Sequence, residues 1–204
     1  AAINDDGTVL AIAAPKAGGT GQVRVFRYSE ETAGLWKQVG PTLAGMPGDD
    51  FGWHVALSSD GTICAVGARH NDGGGDRSGQ VRVFRLDDSS DSYVQMGDDV
   101  YGEPGGEAGK GISLSADGRT LASSTPGSDD NGEDSGSARV FDYDEPSDKW
   151  VQRGGNLTGA IAHDGLIRVA LAPNGNRLVT AAHRAGGDER GFVDVYDFIE
   201  GEWR

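Results

Sequence analysis

The chain has 204 residues, of which 34 are glycine and 7 are proline, and its formal net charge is −14. A chain of this length suits one domain, and its negative charge argues against binding to nucleic acid or an anionic membrane, because phosphates would be repelled. No apolar run approaches the roughly 20 residues that cross a bilayer, so we expect no membrane insertion.

The sequence contains four copies of one unit, spaced by about 57 residues. Each copy opens with a turn that ends in glycine, at Gly7, Gly61, Gly118 and Gly175. An alternating apolar segment follows, beginning at Gln22, Gln80, Ser137 and Phe192. A segment with an aromatic first residue comes third, at Trp36, Tyr93, Trp150 and Trp203. The constant order of these markers predicts one repeat domain, 1–204, with units near 1–50, 51–107, 108–164 and 165–204.

The second copy shows the elements of the unit in order. We expect four strands in it, at 52–58, 62–68, 80–86 and 93–100. A tight turn at Asp60-Gly61 joins the first two strands, because Asp and Gly tolerate the positive φ of hairpin turns. The second strand is a nearly continuous apolar run, which is typical of a strand buried on both faces. No segment has the 3.6-residue apolar rhythm of a long helix.

Side-chain size follows the pattern that packed sheets require. Small residues recur on the second strands, where neighbouring sheets would approach closely: Ala11, Ala13, Ala65, Gly67, Ala122 and Ala181. Larger residues are expected to fill the wider space between the sheets: Phe26, Trp36, Phe84 and Trp150. Three arginines recur in the third strand, and we expect them either to pair with acidic turns or to cover an aromatic face: Arg24, Arg82 and Arg139.

Four short antiparallel strands in each repeat predict an all-β fold, a β-propeller built from four four-stranded units. The alternative, an irregular sandwich of the same strands, would not require equal spacing. The first copy lacks a Phe-Gly pair at its start, and the last copy stops at the start of its fourth strand. The units would form either a closed four-bladed ring or a stretch of a larger ring, and we favour the larger ring.

The second copy carries the residues of a known repeat: Phe51-Gly52, Val55-Ala56-Leu57-Ser58, Asp60-Gly61 and Ala65-Val66-Gly67-Ala68. It resembles the FG-GAP repeat of the integrin α-subunit propeller, and the units also resemble tandem repeats of microbial and algal surface proteins. The resemblance implies a propeller in an extracellular or cell-surface protein. Calcium loops of the integrin type need several carboxylates between strands one and two. Each turn here ends in a single Asp or Asn before its glycine, so we do not expect calcium there.

The loops between strands two and three are the most variable part of the unit, at 69–77, 126–134 and 183–190. Carboxylates beside a glycine turn supply the hard oxygen ligands that calcium prefers. If calcium binds, the candidate ligands are two pairs: Asp72 with Asp76 and Asp129 with Asp134. The order of the residues is not that of an EF-hand. A solvated acidic turn is the interpretation we favour, so we expect no resident cofactor.

No catalytic constellation stands out in the sequence. No two of the histidines have a metal-ligand spacing, and we expect surface or turn positions for all four: His54, His70, His163 and His183. Cys64 lies in an apolar strand and is expected to be a core residue. It is also the only cysteine, which excludes an internal disulfide. Asn156 begins the only N-glycosylation sequon, which would be usable in a secreted eukaryotic protein.

These features favour a protein without enzymatic activity. We expect an interaction or structural module of a cell-surface or extracellular protein, whose loops between strands two and three contact a protein or glycan partner. One alternative is a calcium-dependent adhesin. A less favoured one is a glycan-active propeller enzyme with its site in the central channel. Such an enzyme would need blade-specific carboxylates or histidines at the loop tips, and none is evident in the sequence.

Overall fold

The computed structural model describes residues 1–30, 34–182 and 191–204. Within these ranges the chain forms four antiparallel β-sheets, with a short 3-10 turn at Ala17–Gly19. In each sheet the strands lie in chain order. This confirms the predicted all-β fold of four-stranded units, which we call blades 1 to 4. None of the described residues belongs to a helix long and apolar enough to cross a membrane.

The blades have the following strands. Blade 1 contains β1 (Ala2–Ile3), β2 (Val9–Ala14), β3 (Gln22–Ser29) and β4 (Leu35–Ala44). Blade 2 contains β5 (Phe51–Leu57), β6 (Ile63–Ala68), β7 (Gln80–Asp87), β8 (Ser92–Gln95) and β9 (Val100–Tyr101). Blade 3 contains β10 (Ile112–Leu114), β11 (Thr120–Thr125), β12 (Ser137–Asp144), β13 (Lys149–Gln152) and β14 (Leu157–Thr158). Blade 4 contains β15 (Leu166–Leu171), β16 (Arg177–Ala182), β17 (Phe192–Ile199) and β18 (Glu202–Trp203).

The turn between the first two strands of a blade is fixed by its own side chains. In blade 2 the Ser58 hydroxyl donates to Asp60 Oδ1 at 2.6 Å, and the same carboxylate oxygen accepts the backbone N–H of Thr62 at 2.9 Å. Burial raises the pKa of Asp60, but these hydrogen bonds outweigh burial and hold the pKa below its ordinary value. The aspartate of this turn is therefore used by the fold itself.

The same turns connect the blades to one another. The backbone N–H of Asp5 donates to Ser59 O at 3.1 Å, that of Ser59 to Ala116 O at 2.9 Å, and that of Ala116 to Pro173 O at 2.8 Å. One residue of each turn thus takes part in a chain of hydrogen bonds that runs through all four blades. The repeated turn sets both the strand register within a blade and the position of the next blade.

Three apolar clusters fill the interfaces between successive blades. Between blades 2 and 3, Val81 and Val83 pack with Ile112 and Leu114. The small residues are required where backbones meet, since a Cβ on Gly67 would lie 2.1 Å from Gly109 O. The expectation of small second-strand residues at close contacts is confirmed at this position.

Two of the four larger residues fill these interfaces, as predicted, whereas Phe26 is only half-buried and belongs to none of the three clusters. Trp150 is 9% exposed and Phe84 is 6% exposed. Trp36 is 41% exposed, although it stands at the position in the repeat that Trp150 and Trp203 occupy. The prediction for Trp36 is wrong because blade 1 has no earlier blade in this structure to cover that face.

The fourth strand of blade 2 differs from the predicted continuous strand at 93–100. It is split into β8 and β9, which both pair with β7. The chain leaves the sheet at Gly97, whose φ is +76° and whose N–H donates to Asp148 Oδ1 of blade 3 at 2.9 Å. The same break separates β13 from β14 in blade 3, whereas β4 of blade 1 is one strand with a register shift in its pairing to β3.

The outer faces of the end blades are open. Val193 and Val195 in blade 4 are 65% and 59% exposed, whereas their blade 2 counterparts Val81 and Val83 are 0% and 1% exposed. In blade 1, the other end blade, the side chain of Ile3 is 58% exposed. These four blades do not close a ring on themselves, and a larger ring stays a prediction.

Candidate functional site: the loop face and its cleft

The loops between strands two and three lie at the same end of the sheets as the connections from one blade to the next. We call this end, with the loops 69–79 and 126–136, the loop face. The loop of blade 2 is held to the connection that leads to blade 3, because Glu107 N donates to Arg77 O at 3.0 Å and Ala108 N donates to Ser78 O at 2.9 Å. The loop of blade 3 is held to the connection that leads to blade 4 in the same way, because His163 N donates to Glu133 O at 2.7 Å.

Ion pairs fix the connection between blades 1 and 2. The Asp50 carboxylate lies 2.9 Å from Lys16 Nζ, 3.1 Å from Arg69 Nη2 and 3.2 Å from His70 Nδ1. The Asp50 side chain is only 6% exposed. Burial raises its pKa, but the hydrogen bonds from Lys16 and Arg69 prevail and hold the pKa below its ordinary value. Asp50 is therefore a charged anchor between two blades.

Glu107 has the same role between blades 2 and 3. Its carboxylate lies 2.8 Å from Lys110 Nζ, forms an ion pair with Arg77 and lies 3.8 Å from His70 Nε2. Burial raises the pKa of Glu107, but Lys110 and Arg77 lower it by more. Burial and the neighbouring Arg69 lower the pKa of His70. His70 lies in a turn, as predicted, and connects the two anchors of the loop face.

The four predicted calcium ligands lie in these loops, but not in one cluster. Asp72 Oδ1 accepts the N–H of Arg77 at 2.8 Å, and Asp129 Oδ1 accepts the N–H of Asp134 at 2.8 Å. One carboxylate oxygen of Asp72 and one of Asp129 therefore already accept a hydrogen bond within their own loop. Asp76 contributes its backbone carbonyl to Gly105 N at 2.7 Å. Within 1–30, 34–182 and 191–204, no three His, Cys, Asp or Glu side chains are grouped to hold a metal ion.

Arg82 covers an aromatic face, which confirms one of the two alternatives for this one of the three recurring arginines. Its Cζ lies 4.4 Å from the centre of the Phe51 ring and 5.6 Å from that of Phe84. Its Nη2 donates to Ala44 O of blade 1 at 2.6 Å, and its Nε is buried without a hydrogen-bond partner. The guanidinium group therefore joins blades 1 and 2 while part of its donor capacity stays unused.

A cleft of about 540 Å³ opens on the loop face and is lined in part by Arg82. We call it the blade 2 cleft, and it is lined by Met46, Asp72, Gln80, Arg82, Asp99 and Tyr101 among others. Met46 comes from the connection out of blade 1, and the other five side chains belong to blade 2. The cleft thus forms where the two blades meet.

One wall of the cleft is a preformed polar group. Asp99 Oδ2 accepts hydrogen bonds from Gln80 Nε2 and from the Tyr101 hydroxyl, each at 2.8 Å, and Asp99 Oδ1 accepts one from Gln95 Nε2 at 2.8 Å. Burial and the bond to Asp99 raise the pKa of Tyr101, so the phenol stays protonated. Tyr101 is nonetheless 36% exposed. Its ring is fixed at the hydroxyl end and accessible on its surface.

The structure also reveals a second cavity, of about 290 Å³, that sequence reasoning missed. Its lining includes Trp53, His54, Lys110 and Arg168, from the first strands of blades 2 and 4 and the connection into blade 3. His54 Nδ1 lies 3.2 Å from Ile112 N, and burial lowers the pKa of His54. His54 is therefore partly buried in a strand at a blade interface, and the prediction of a surface or turn position for it is wrong. The sequence analysis expects unique catalytic residues only at loop tips, whereas these residues lie within or beside strands.

The remaining candidates have simpler surroundings. Asn156 is exposed, as predicted, and its Nδ2 donates to Asp130 Oδ2 at 2.8 Å. Cys64 is fully buried and burial raises its pKa to about 12, which confirms a core residue. His163 is an exposed residue near the Glu133 carboxylate. His183 and the loop 183–190 lie outside the described residues.

Comparisons with known proteins agree with this architecture. The FG-GAP repeat family model matches residues 44–84, which include β5, β6 and much of the cleft. A search of curated proteins gives no significant match. The sequence comparison therefore supports FG-GAP-like repeats in this part of the chain.

Solved structures show the fold of the whole chain. A candidate 6-phosphogluconolactonase from Bacteroides fragilis matches with a TM-score of 0.64 at 17% identity, over 99% of this chain and 51% of that one. The periplasmic gluconolactonase PpgL of Pseudomonas aeruginosa matches with 0.61 at 23% identity, over 98% and 50%. KlAtg21, solved with the coiled coil of AgAtg16, matches with 0.63 at 15% identity, over 98% and 53%. The chain is a β-propeller fold that spans about half the length of these structures.

Proposed function

We propose that this chain is a non-catalytic β-propeller interaction module of an extracellular or cell-surface protein, whose loop face binds a protein or glycan partner. The observation that carries the proposal is the pair of ionic anchors at Asp50 and Glu107. They tie the loops to the connections between blades, so the variable side chains are presented in one arrangement. A preformed surface binds at a lower entropic cost than a mobile one. The FG-GAP-like repeats support the extracellular setting, because such repeats are typical of extracellular proteins.

The charge states of the anchors support a binding role over catalysis. A general acid or base works best when its pKa lies near the working pH. The pKa values of Asp50 and Glu107 are lowered by their cationic partners, so both carboxylates stay ionised and engaged near neutral pH. They are suited to holding loops in place. Calcium binding at Asp72, Asp76, Asp129 and Asp134 would make the module a calcium-dependent adhesin, which is the nearest alternative.

A second candidate function is an enzyme with its site in the cavity lined by His54, Lys110 and Arg168. The observation that favours it is the presence of blade-specific cationic groups and a histidine in one cavity. Two of the solved propellers are named as lactonases, but their sequence identities to this chain are 23% and below. They therefore indicate only a shared architecture. Hydrolysis of a lactone or glycoside by the wild-type chain, abolished in His54→Gln, would favour the enzyme.

A loop exchange tests the proposed function. In one variant, residues 72–76 and 129–133 are replaced by Gly-Ser segments of equal length. In the control, residues 88–91 of the hairpin at the opposite end of blade 2 are replaced in the same way. Arrays of immobilised glycans and extracellular proteins report binding. We expect the wild type and the control to bind the same partners and the loop variant to bind at least tenfold more weakly. Equal binding by all three, or no binding by the wild type, would overturn the proposal.

A further inference from the structure

The blade 2 cleft is specific to one blade, although the backbone around it repeats. Gln80 pairs with Tyr101 across β7 and β9, and the matching pairs are Ser137 with Thr158 in blade 3 and Gln22 with Ala44 in blade 1. Among the three blades for which this pair is described, a tyrosine stands at this position in blade 2 alone. The strand pairing is therefore maintained without Tyr101. In blade 2 the Tyr101 ring lies beside Gly73 of the loop and keeps part of its surface exposed to the cleft.

The apolar part of the cleft consists of two exposed surfaces. Met46 is 67% exposed and Tyr101 is 36% exposed, and both line the same space. The Tyr101 ring is held in place through its hydroxyl bond to Asp99. A fixed aromatic ring opposite a flexible thioether side chain offers a surface for the flat, C–H-rich face of a small ligand.

The polar part of the cleft offers both acceptors and donors. Asp72 also lines the cleft, and it uses Oδ1 for the Arg77 N–H, so Oδ2 makes no hydrogen bond to the described residues. Arg82 donates to one acceptor only, Ala44 O, among the described residues. A ligand that meets both groups must donate to a carboxylate and accept from a guanidinium group. Hydroxyl groups do both.

The charges in the cleft argue against an anionic ligand. An anionic ligand would be repelled by Asp72 and Asp99, which line the cleft together. A cationic ligand would also meet the guanidinium group of Arg82, and the carboxylates of Asp49 and Asp99 already accept hydrogen bonds from the protein. A neutral ligand with several hydroxyl groups and one apolar face satisfies every wall of the cleft.

We infer that the blade 2 cleft is a binding site for a neutral saccharide. One sugar ring packs against Tyr101, and its hydroxyl groups donate to Asp72 and accept from Arg82. The inference rests on the proposed function, because it names the chemistry of the partner that the loop face takes. It differs from the calcium alternative in needing no metal ion.

Saturation-transfer NMR with the 204-residue chain tests the inference. The probes are the methyl glycosides of glucose, galactose and mannose, with glucuronate and glucosamine as charged comparisons. The variants carry the residues that blade 3 has at these positions, Tyr101→Thr and Gln80→Ser. Tyr28→Thr is the control, because Tyr28 is 37% exposed and does not line the cleft. Thermal unfolding confirms that each variant is folded.

We expect at least one neutral glycoside to give signals that fall at least fivefold in Tyr101→Thr and stay unchanged in Tyr28→Thr. Three results would overturn the inference: signals from the charged sugars alone, equal signals in Tyr101→Thr and Tyr28→Thr, or no signal from any neutral glycoside. The arrays of the loop exchange separate it from the proposed function. Loop-dependent binding to proteins without binding to saccharides overturns the saccharide site and leaves the interaction module, whereas no binding to either overturns both.

Discussion

The indole N–H of Trp150 donates to the backbone carbonyl of Met96 at 2.9 Å, across the interface between blades 2 and 3. Both residues are buried, at 9% and 3% exposure. The next interface repeats this bond, with Trp203 Nε1 donating to Arg153 O at 2.9 Å. The aromatic residue that marks the fourth strand in the sequence thus joins its own blade to the carbonyl group of the preceding blade.

We predict that Trp150→Phe destabilises the fold by about 1–3 kcal/mol, because a buried carbonyl would lose its donor while most of the apolar contact stays. Urea unfolding measures the change. Trp36→Phe is the matched control and should change stability by less than about 0.5 kcal/mol, since Trp36 is 41% exposed. Similar losses in both variants would show that the interblade hydrogen bond contributes little.

A second prediction concerns the close approach of two blades at Gly67. A Cβ there would lie 2.1 Å from Gly109 O, a backbone atom that cannot move without shifting blade 3. Gly67→Ala should therefore destabilise the chain by about 2 kcal/mol or more, as overpacking does in other cores. Gly155→Ala is the control, because a Cβ at Gly155 meets nothing within 4 Å. Thermal unfolding of the two variants makes the comparison, and equal midpoints would contradict this packing.

Local chemistry explains why much of the fold could be predicted from the sequence. The Asp60-Gly61 turn is stabilised by residues within five positions of it, so the sequence alone contains its cause. The break at Gly97 could not be foreseen, because the group that holds it, Asp148, belongs to the next blade. A pattern within one strand does not show which side chain of a neighbouring sheet will compete for its backbone.

The candidate site was predicted less well for the same physical reason. The loops 69–77 and 126–134 were recognised as variable and acidic, and the structure places both on the loop face. The blade 2 cleft was missed because Met46, Asp72 and Tyr101 come from three separate segments that only the packed blades bring together. Its sequence signal was a departure from the repeat: Tyr101 stands where blade 3 has Thr158.

A third prediction concerns the open face of blade 4. Val83 is 1% exposed, and Val195 has the same place in its blade but is 59% exposed. Val83→Thr should destabilise the chain by about 1–2 kcal/mol, because it buries a hydroxyl group in an apolar interface. Val195→Thr should stay within about 0.5 kcal/mol of the wild type. Chemical denaturation at several protein concentrations tests both variants. An equally large, concentration-dependent loss in Val195→Thr would mean that a second molecule covers this face.

The last prediction concerns pH and the anchor at Asp50. Its pKa in the folded chain lies below the ordinary value of an aspartate, despite burial, because Lys16 and Arg69 bind the charged form. The folded state thus binds fewer protons than the unfolded state as this group titrates. Stability from the anchor is full above about pH 5 and is lost as the pH falls through 3.8 and below.

Asp50→Asn removes this titration while keeping the shape of the side chain. We expect the variant to be less stable than the wild type at pH 7, with a smaller difference at pH 3, where the carboxylate of the wild type begins to bind a proton. Unfolding by urea at pH 7, 5, 4 and 3 gives the free energy of unfolding of both proteins. Asp88→Asn, in the hairpin at the opposite end of blade 2, is the control and should leave the pH dependence unchanged. A difference between Asp50→Asn and the wild type that stays constant from pH 7 to pH 3 would mean that the ion pairs of Asp50 do not stabilise the loop face, and that its shape alone holds the connection between blades 1 and 2.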